Sequence, residues 1–107
     1  MTKIKTITTT LSATLLLALA GSAFAADGAA TYTAKGCAAC HGTDAKKPIM
    51  PTYPKIAGQS KEYLTQQMID IKSGARSNGQ SAVMKGVMAS VSEEEIVVIA
   101  EYIAGLK

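Results

Sequence analysis

Five consecutive residues, Cys37-Ala38-Ala39-Cys40-His41, constrain this chain more than any other feature of it. Two residues separate the cysteines, and a histidine follows the second one directly. Covalent attachment of a c-type haem needs this pattern. Each thiol takes one porphyrin vinyl group, the short spacer brings both to one edge, and the histidine is held under the iron as an axial ligand. Cys37 and Cys40 are therefore the candidate thioether residues and His41 the candidate iron ligand. Three other chemistries use such a pair. A structural disulfide forms in an oxidising compartment. A thioredoxin-like redox pair usually opens a helix inside a βαβ pattern, and no strands are evident here. Zinc takes four ligands, so the two cysteines and one histidine would need a carboxylate to complete the set.

The first 25 residues have a different character. Lys3 and Lys5 make a basic start, Leu11 to Ala20 is almost wholly apolar, and Ala23-Phe24-Ala25 fits the small-x-small pattern before a cleavage point. This is the composition of a secretory signal peptide, with the cut expected after Ala25 or the next residue. The apolar run falls short of the roughly 20 residues that a bilayer span requires, and no other stretch is long and apolar enough. Residues 26–107 then form one small domain, of a size at which a lone hydrophobic core is marginal. That segment holds four Tyr and no Trp or Phe. A large apolar cofactor would repair the deficit. Loss of Lys3 and Lys5 lowers the formal charge from +3 to +1, and no basic cluster points to nucleic acid.

Periodicity predicts an all-α chain with three main helices and long loops. Asp27 to Lys35 reads as a short helix, and Gly36 to Pro54 as loop. Ser60 is a candidate N-cap for a helix carrying Leu64, Met68 and Ile71 on one face, closed by Gly74. Ser73 to Gln80 reads as loop, and Ala82 to Val91 as a segment holding a helical turn. Ser92 and Glu95 form a capping box, Val91 and Ile96 a hydrophobic staple, and Ile96, Ile99, Ala100 and Ile103 a buried stripe. Glu93, Glu94 and Glu95 suit the positive end of that helix.

Taken together, Lys35 to Gly42, Tyr53 to Gln59, Gly74-Ala75-Arg76, and Ser92 to Ile103 resemble the class I c-type cytochromes, in the small bacterial periplasmic monohaem type. The chain is also similar to one half of the dihaem cytochromes. The resemblance covers Asp27 to Lys107. It implies the class I cytochrome c fold wrapped around a single haem c, and a methionine as second axial ligand. Met84 lies eight residues before Ser92, where the family places that ligand. Met88, one turn later, would line the pocket. Met68 sits on an apolar helix stripe and reads as core, and Met50 is too close to His41 in sequence to reach the opposite face. The resemblance further implies that the Pro54 carbonyl accepts a hydrogen bond from the proximal imidazole, that Arg76 lies near the haem propionates, and that Gly28 and Tyr32 meet Tyr102 or Ile103 on the C-terminal helix.

The function implied is periplasmic one-electron transfer, without enzymatic activity. The donor would be a quinol-oxidising complex or a dehydrogenase, and the acceptor an oxidase or reductase. A haem enzyme with an open sixth position, peroxidase-like or gas-binding, and a cytochrome subunit of a larger oxidoreductase are the alternatives. Lys46, Lys47, Lys55 and Lys61 are candidates for a basic rim that steers an acidic partner.

Overall fold

A computed structural model describes residues 27–107; the expected signal peptide, residues 1–25, lies outside the described residues. Among the described residues there are five helices and no strand: α1 (Gly28–Ala34), α2 (Cys37–His41), α3 (Lys61–Ser73), α4 (Ser81–Met88) and α5 (Glu93–Ala104). None is long and apolar enough to cross a membrane.

Local chemistry sets the ends of the three main helices. The Asp27 carboxylate accepts from the backbone N–H groups of Ala29 and Ala30, which starts α1. Ser60 accepts from the Tyr63 N–H at the head of α3, and Gly74 closes that helix in the left-handed conformation. The capping box is formed at α5: Ser92 Oγ accepts from the Glu95 N–H at 3.1 Å, and Glu95 Oε1 accepts from the Ser92 N–H at 3.0 Å. The Ser92 N–H, with Lys35 beside it, holds the Glu95 carboxyl below the usual carboxylate range. Val91 and Ile96, the staple pair, are both fully buried.

The core forms where the apolar faces of these helices meet. Leu64, Met68 and Ile71 of α3 join Ile96, Ile99, Ala100 and Ile103 of α5 in one buried cluster with Tyr32 and Met88. The first and last helices approach so closely that only glycine fits at position 28. A Cβ there would lie 2.5 Å from the Val98 carbonyl oxygen and 2.7 Å from Tyr102 Cβ. Beside this contact the Tyr32 and Tyr102 rings sit 5.5 Å apart, tilted by 56°, within the range of favourable aromatic pairs.

Two segments differ from the sequence reading. Gly36 to Pro54 is not all loop: after Gly36 turns the chain, Cys37–His41 closes into α2, with Ala38 and Ala39, of the residue type with the highest helix propensity, at its centre. Ala82 to Val91 is more than a turn, because α4 runs a full eight residues from Ser81. Its apolar positions Met84, Val87 and Met88 keep helical spacing, but Gln80 supplies no side-chain cap and Gly86 interrupts the run, so its sequence signal is faint.

Candidate functional site

The site begins at α2. Because α2 is helical, Cys37, Cys40 and His41 are carried on one rigid turn. The chain must then reverse at once, and Gly42 allows it with φ at 91°. A Cβ at this position would lie 2.4 Å from the Lys47 carbonyl oxygen, so the reversal needs glycine in both conformation and space. The Tyr32 hydroxyl donates to the Gly42 carbonyl at 2.6 Å and ties the end of α2 to α1. Further on, the fully buried Ala45 offers its carbonyl to two amides, Ile56 at 3.0 Å and Ala57 at 3.1 Å. That folds residues 46–55 back toward α2.

This return brings Pro54 to His41, whose Nδ1 lies 2.8 Å from the Pro54 carbonyl oxygen. A carbonyl only accepts, so Nδ1 carries a proton, and in the neutral ring the lone pair is then on Nε2. His41 is buried and borders a cavity of about 420 Å³, within the range of about 300–1,000 Å³ typical of cofactor sites. Cys37 and Cys40 border the same space from α2. Leu64, Met68 and Ile71 of α3 and Ile99 and Ile103 of α5 supply much of its apolar wall, and Met84 and Met88 of α4 complete it. The lining also carries polar side chains, among them Gln67, Arg76, Asn78 and the buried Ser81; Arg76 Nη1 donates to Gln67 Oε1 at 3.1 Å.

The candidate residues are therefore brought together. Cys37, Cys40, His41, Pro54, Arg76 and Met84 all border one cavity. Met84 is half-buried; Met88 is fully buried, and Met68 is buried on the α3 stripe. Met50 is 47% exposed and is not part of the wall. The four lysines of the expected rim do not form a free set. Lys61 pairs with Glu101 at 2.6 Å, and Lys46 Nζ donates to the Lys107 carbonyl. Three features escaped the sequence reading: the Tyr32–Gly42 hydrogen bond, the Ala45 carbonyl as a double acceptor, and the polar group of Gln67, Asn78 and Ser81. Only the last carried a signal, in that Gln67 lies one residue from Met68 on the inward side of α3.

The surroundings bear on the chemistries open to a Cys-x-x-Cys pair. Burial pushes the Cys37 thiol up, the opposite of the activated thiolate that a redox pair needs. Among the described residues no group of three His, Cys, Asp or Glu side chains could hold a metal ion. Two thiols on one helical turn, an imidazole with Nε2 free, and a thioether on another helix border one mostly apolar space. These residues fit haem c.

Comparisons with known proteins point the same way. The family model described as Cytochrome c matches residues 25–107. Cytochrome c4 of Pseudomonas aeruginosa is 43% identical over 95 residues, covering 87% of this chain and 45% of the relative. The cytochrome subunit of sulfide dehydrogenase of Chlorobaculum tepidum is 36% identical over 109 residues, covering 90% of this chain and 94% of the relative. The crystal structure of reduced recombinant cytochrome c4 from Pseudomonas stutzeri superposes with a TM-score of 0.60 at 33% identity, covering 66% of this chain and 38% of that one. The chain spans about half the length of the cytochrome c4 relatives it matches.

Proposed function

The chain belongs to the cytochrome c family, whose cofactor is covalently bound haem c, and from that premise we propose that it is a periplasmic one-electron carrier, not an enzyme, with a single haem. In this reading Cys37 and Cys40 would hold the haem by thioether bonds, and His41 and Met84 would ligate its iron. When bound, the group supplies a ferric/ferrous couple. The chain's own residues do the rest. Pro54 fixes the His41 ring through Nδ1, which presents Nε2 in one orientation and raises its basicity. The Met84 thioether would favour the ferrous state and leave no open place for a substrate on the iron. Leu64, Ile71, Ile99 and Ile103 exclude water, and Arg76 would offer positive charge to carboxylates of the group.

The observation that supports this reading most is that His41 and Met84 border the same apolar space from different helices. A relative from Stutzerimonas stutzeri, 37% identical over 103 residues, is named as a thiosulfate dehydrogenase electron acceptor. The donor we propose is accordingly a dehydrogenase or a quinol-oxidising complex, and the acceptor an oxidase or reductase. A second reading, a cytochrome subunit of a larger oxidoreductase, draws on the sulfide dehydrogenase subunit, which this chain matches over nearly its whole length. Gel filtration with a purified dehydrogenase separates the two.

The oxidised and reduced spectra of Met84→Ala, Met88→Ala and unaltered protein test the carrier. The unaltered ferric protein is expected to show the weak band near the red end that marks a Met–iron bond, and when reduced it should not bind carbon monoxide. Met84→Ala should lose the band, bind carbon monoxide and drop in potential, while Met88→Ala keeps the band. Free carbon monoxide binding by the unaltered protein would instead favour a haem enzyme with an open sixth position.

A further inference from the structure

Two lysines from different helices converge on consecutive carbonyls at the corner between α4 and α5. Lys35, the residue that caps α1, donates from Nζ to the Ser90 carbonyl at 2.8 Å and pairs with the Glu95 carboxylate at 3.3 Å. Lys72, in the last turn of α3, donates from Nζ to the Val91 carbonyl. Both lysines are half-buried, and neither borders the cavity. Carbonyls at and just beyond a helix C-terminus lack intrahelical partners and lie at the negative end of the helix dipole. An ammonium group placed there answers both deficits.

The helix that runs into this corner is weak by itself. α4 has eight residues, no side-chain cap at Gln80 and a glycine at position 86, and a helix so short does not persist alone. It leaves through a turn in which the Ser90 N–H reaches the Val87 carbonyl at 3.4 Å and the Val91 N–H reaches Met88 at 3.0 Å. Beyond the turn lies the Ser92 capping box, and its Glu95 is the carboxylate that receives Lys35. The two ammonium groups thus join the ends of α1 and α3 to the exit of α4.

We propose that Lys35 and Lys72 are positioning residues that clamp the α4–α5 corner and so hold α4, with Met84, against the cavity. Its consequence at the iron rests on the reading of Met84 as second axial ligand; the clamp itself is a property of the helices. The test is hydrogen exchange of the haem-loaded Lys35→Met/Lys72→Met protein, which keeps much of the apolar stems and removes the charges. Amides of α4 should exchange at least about tenfold faster, the effect of losing even one of the two charge-assisted hydrogen bonds, while amides of α1 and α5 change far less. The near-red band of the ferric protein should disappear at a lower temperature than the helical circular dichroism. Unchanged α4 exchange, or equal acceleration of α1, α4 and α5, would overturn the clamp. Should the double variant not fold, the single substitutions are read in the same way. If the band is absent from the unaltered protein or survives in Met84→Ala, the sixth-ligand reading fails, and α4 exchange still decides the clamp.

Discussion

The Tyr32 hydroxyl has one partner, the Gly42 carbonyl, and sits on a side chain that is 1% exposed. Burial, with lesser contributions from Cys37, Tyr102 and Asp44, pushes its pKa from 10.0 up to about 12. A thioether at Cys37 would remove that neighbour's titration but leave burial, the largest cause. The folded protein therefore keeps the phenol proton over a pH range in which the unfolded chain has lost it. Stability from this group is fully present below about pH 10 and is lost as pH rises toward about 12. Tyr32→Phe should cost about 0.5–1.5 kcal/mol at neutral pH, because the Gly42 carbonyl loses its side-chain donor and keeps only the Ala45 N–H, at 3.2 Å. The variant should also show a shallower fall in denaturant midpoint across the alkaline range, and parallel curves for the two proteins would count against this account. At this scale the sequence was informative where chemistry demands a fixed spacing, as in Cys37, Cys40 and His41. It was silent where a contact depends on three-dimensional return of the chain. Nothing in the residues around Ala45 shows that its carbonyl will meet Ile56 and Ala57.

The helices differ in how firmly their sequences specify them. α3 and α5 were legible because each has a serine cap and a regular apolar face, so local and tertiary preferences agree. α2 and α4 were not, since α2 is too short for periodicity and α4 lacks a cap. The α1–α5 contact depends on the single missing side chain at Gly28. Gly28→Ala places a methyl group against backbone, and overpacking of this kind should cost about 2 kcal/mol and lower the thermal midpoint by roughly 10 °C. Gly86→Ala is the matched control. A Cβ there meets nothing within 4 Å, so the exchange should stabilise α4 by about 0.5–1 kcal/mol. Differential scanning calorimetry of both variants checks the pair, and a Gly28→Ala midpoint equal to that of the unaltered protein would rule out the close approach as a determinant of stability.

Over the whole domain, the cavity sets the balance between chain and cofactor. If the space of about 420 Å³ were left without haem, a loss of about 24 cal/mol per Å³ would reach roughly 10 kcal/mol as a ceiling. That is comparable with the entire stability of a small domain. Cys37→Ala/Cys40→Ala protein freed of haem should therefore lose most of its helical circular dichroism and melt without a sharp transition. A cooperative melt with undiminished helicity would show that the helices stand without the cofactor. The contact at Gly28 has a mechanical consequence of its own. Because the first and last helices of the described segment pack tightly on each other at Gly28, a pull applied to its two ends loads that junction directly, together with the contact of Lys46 with the Lys107 carbonyl. α3 packs on the same α5 and shares its load, so the domain should yield under force in one abrupt event, not by progressive unravelling from either end.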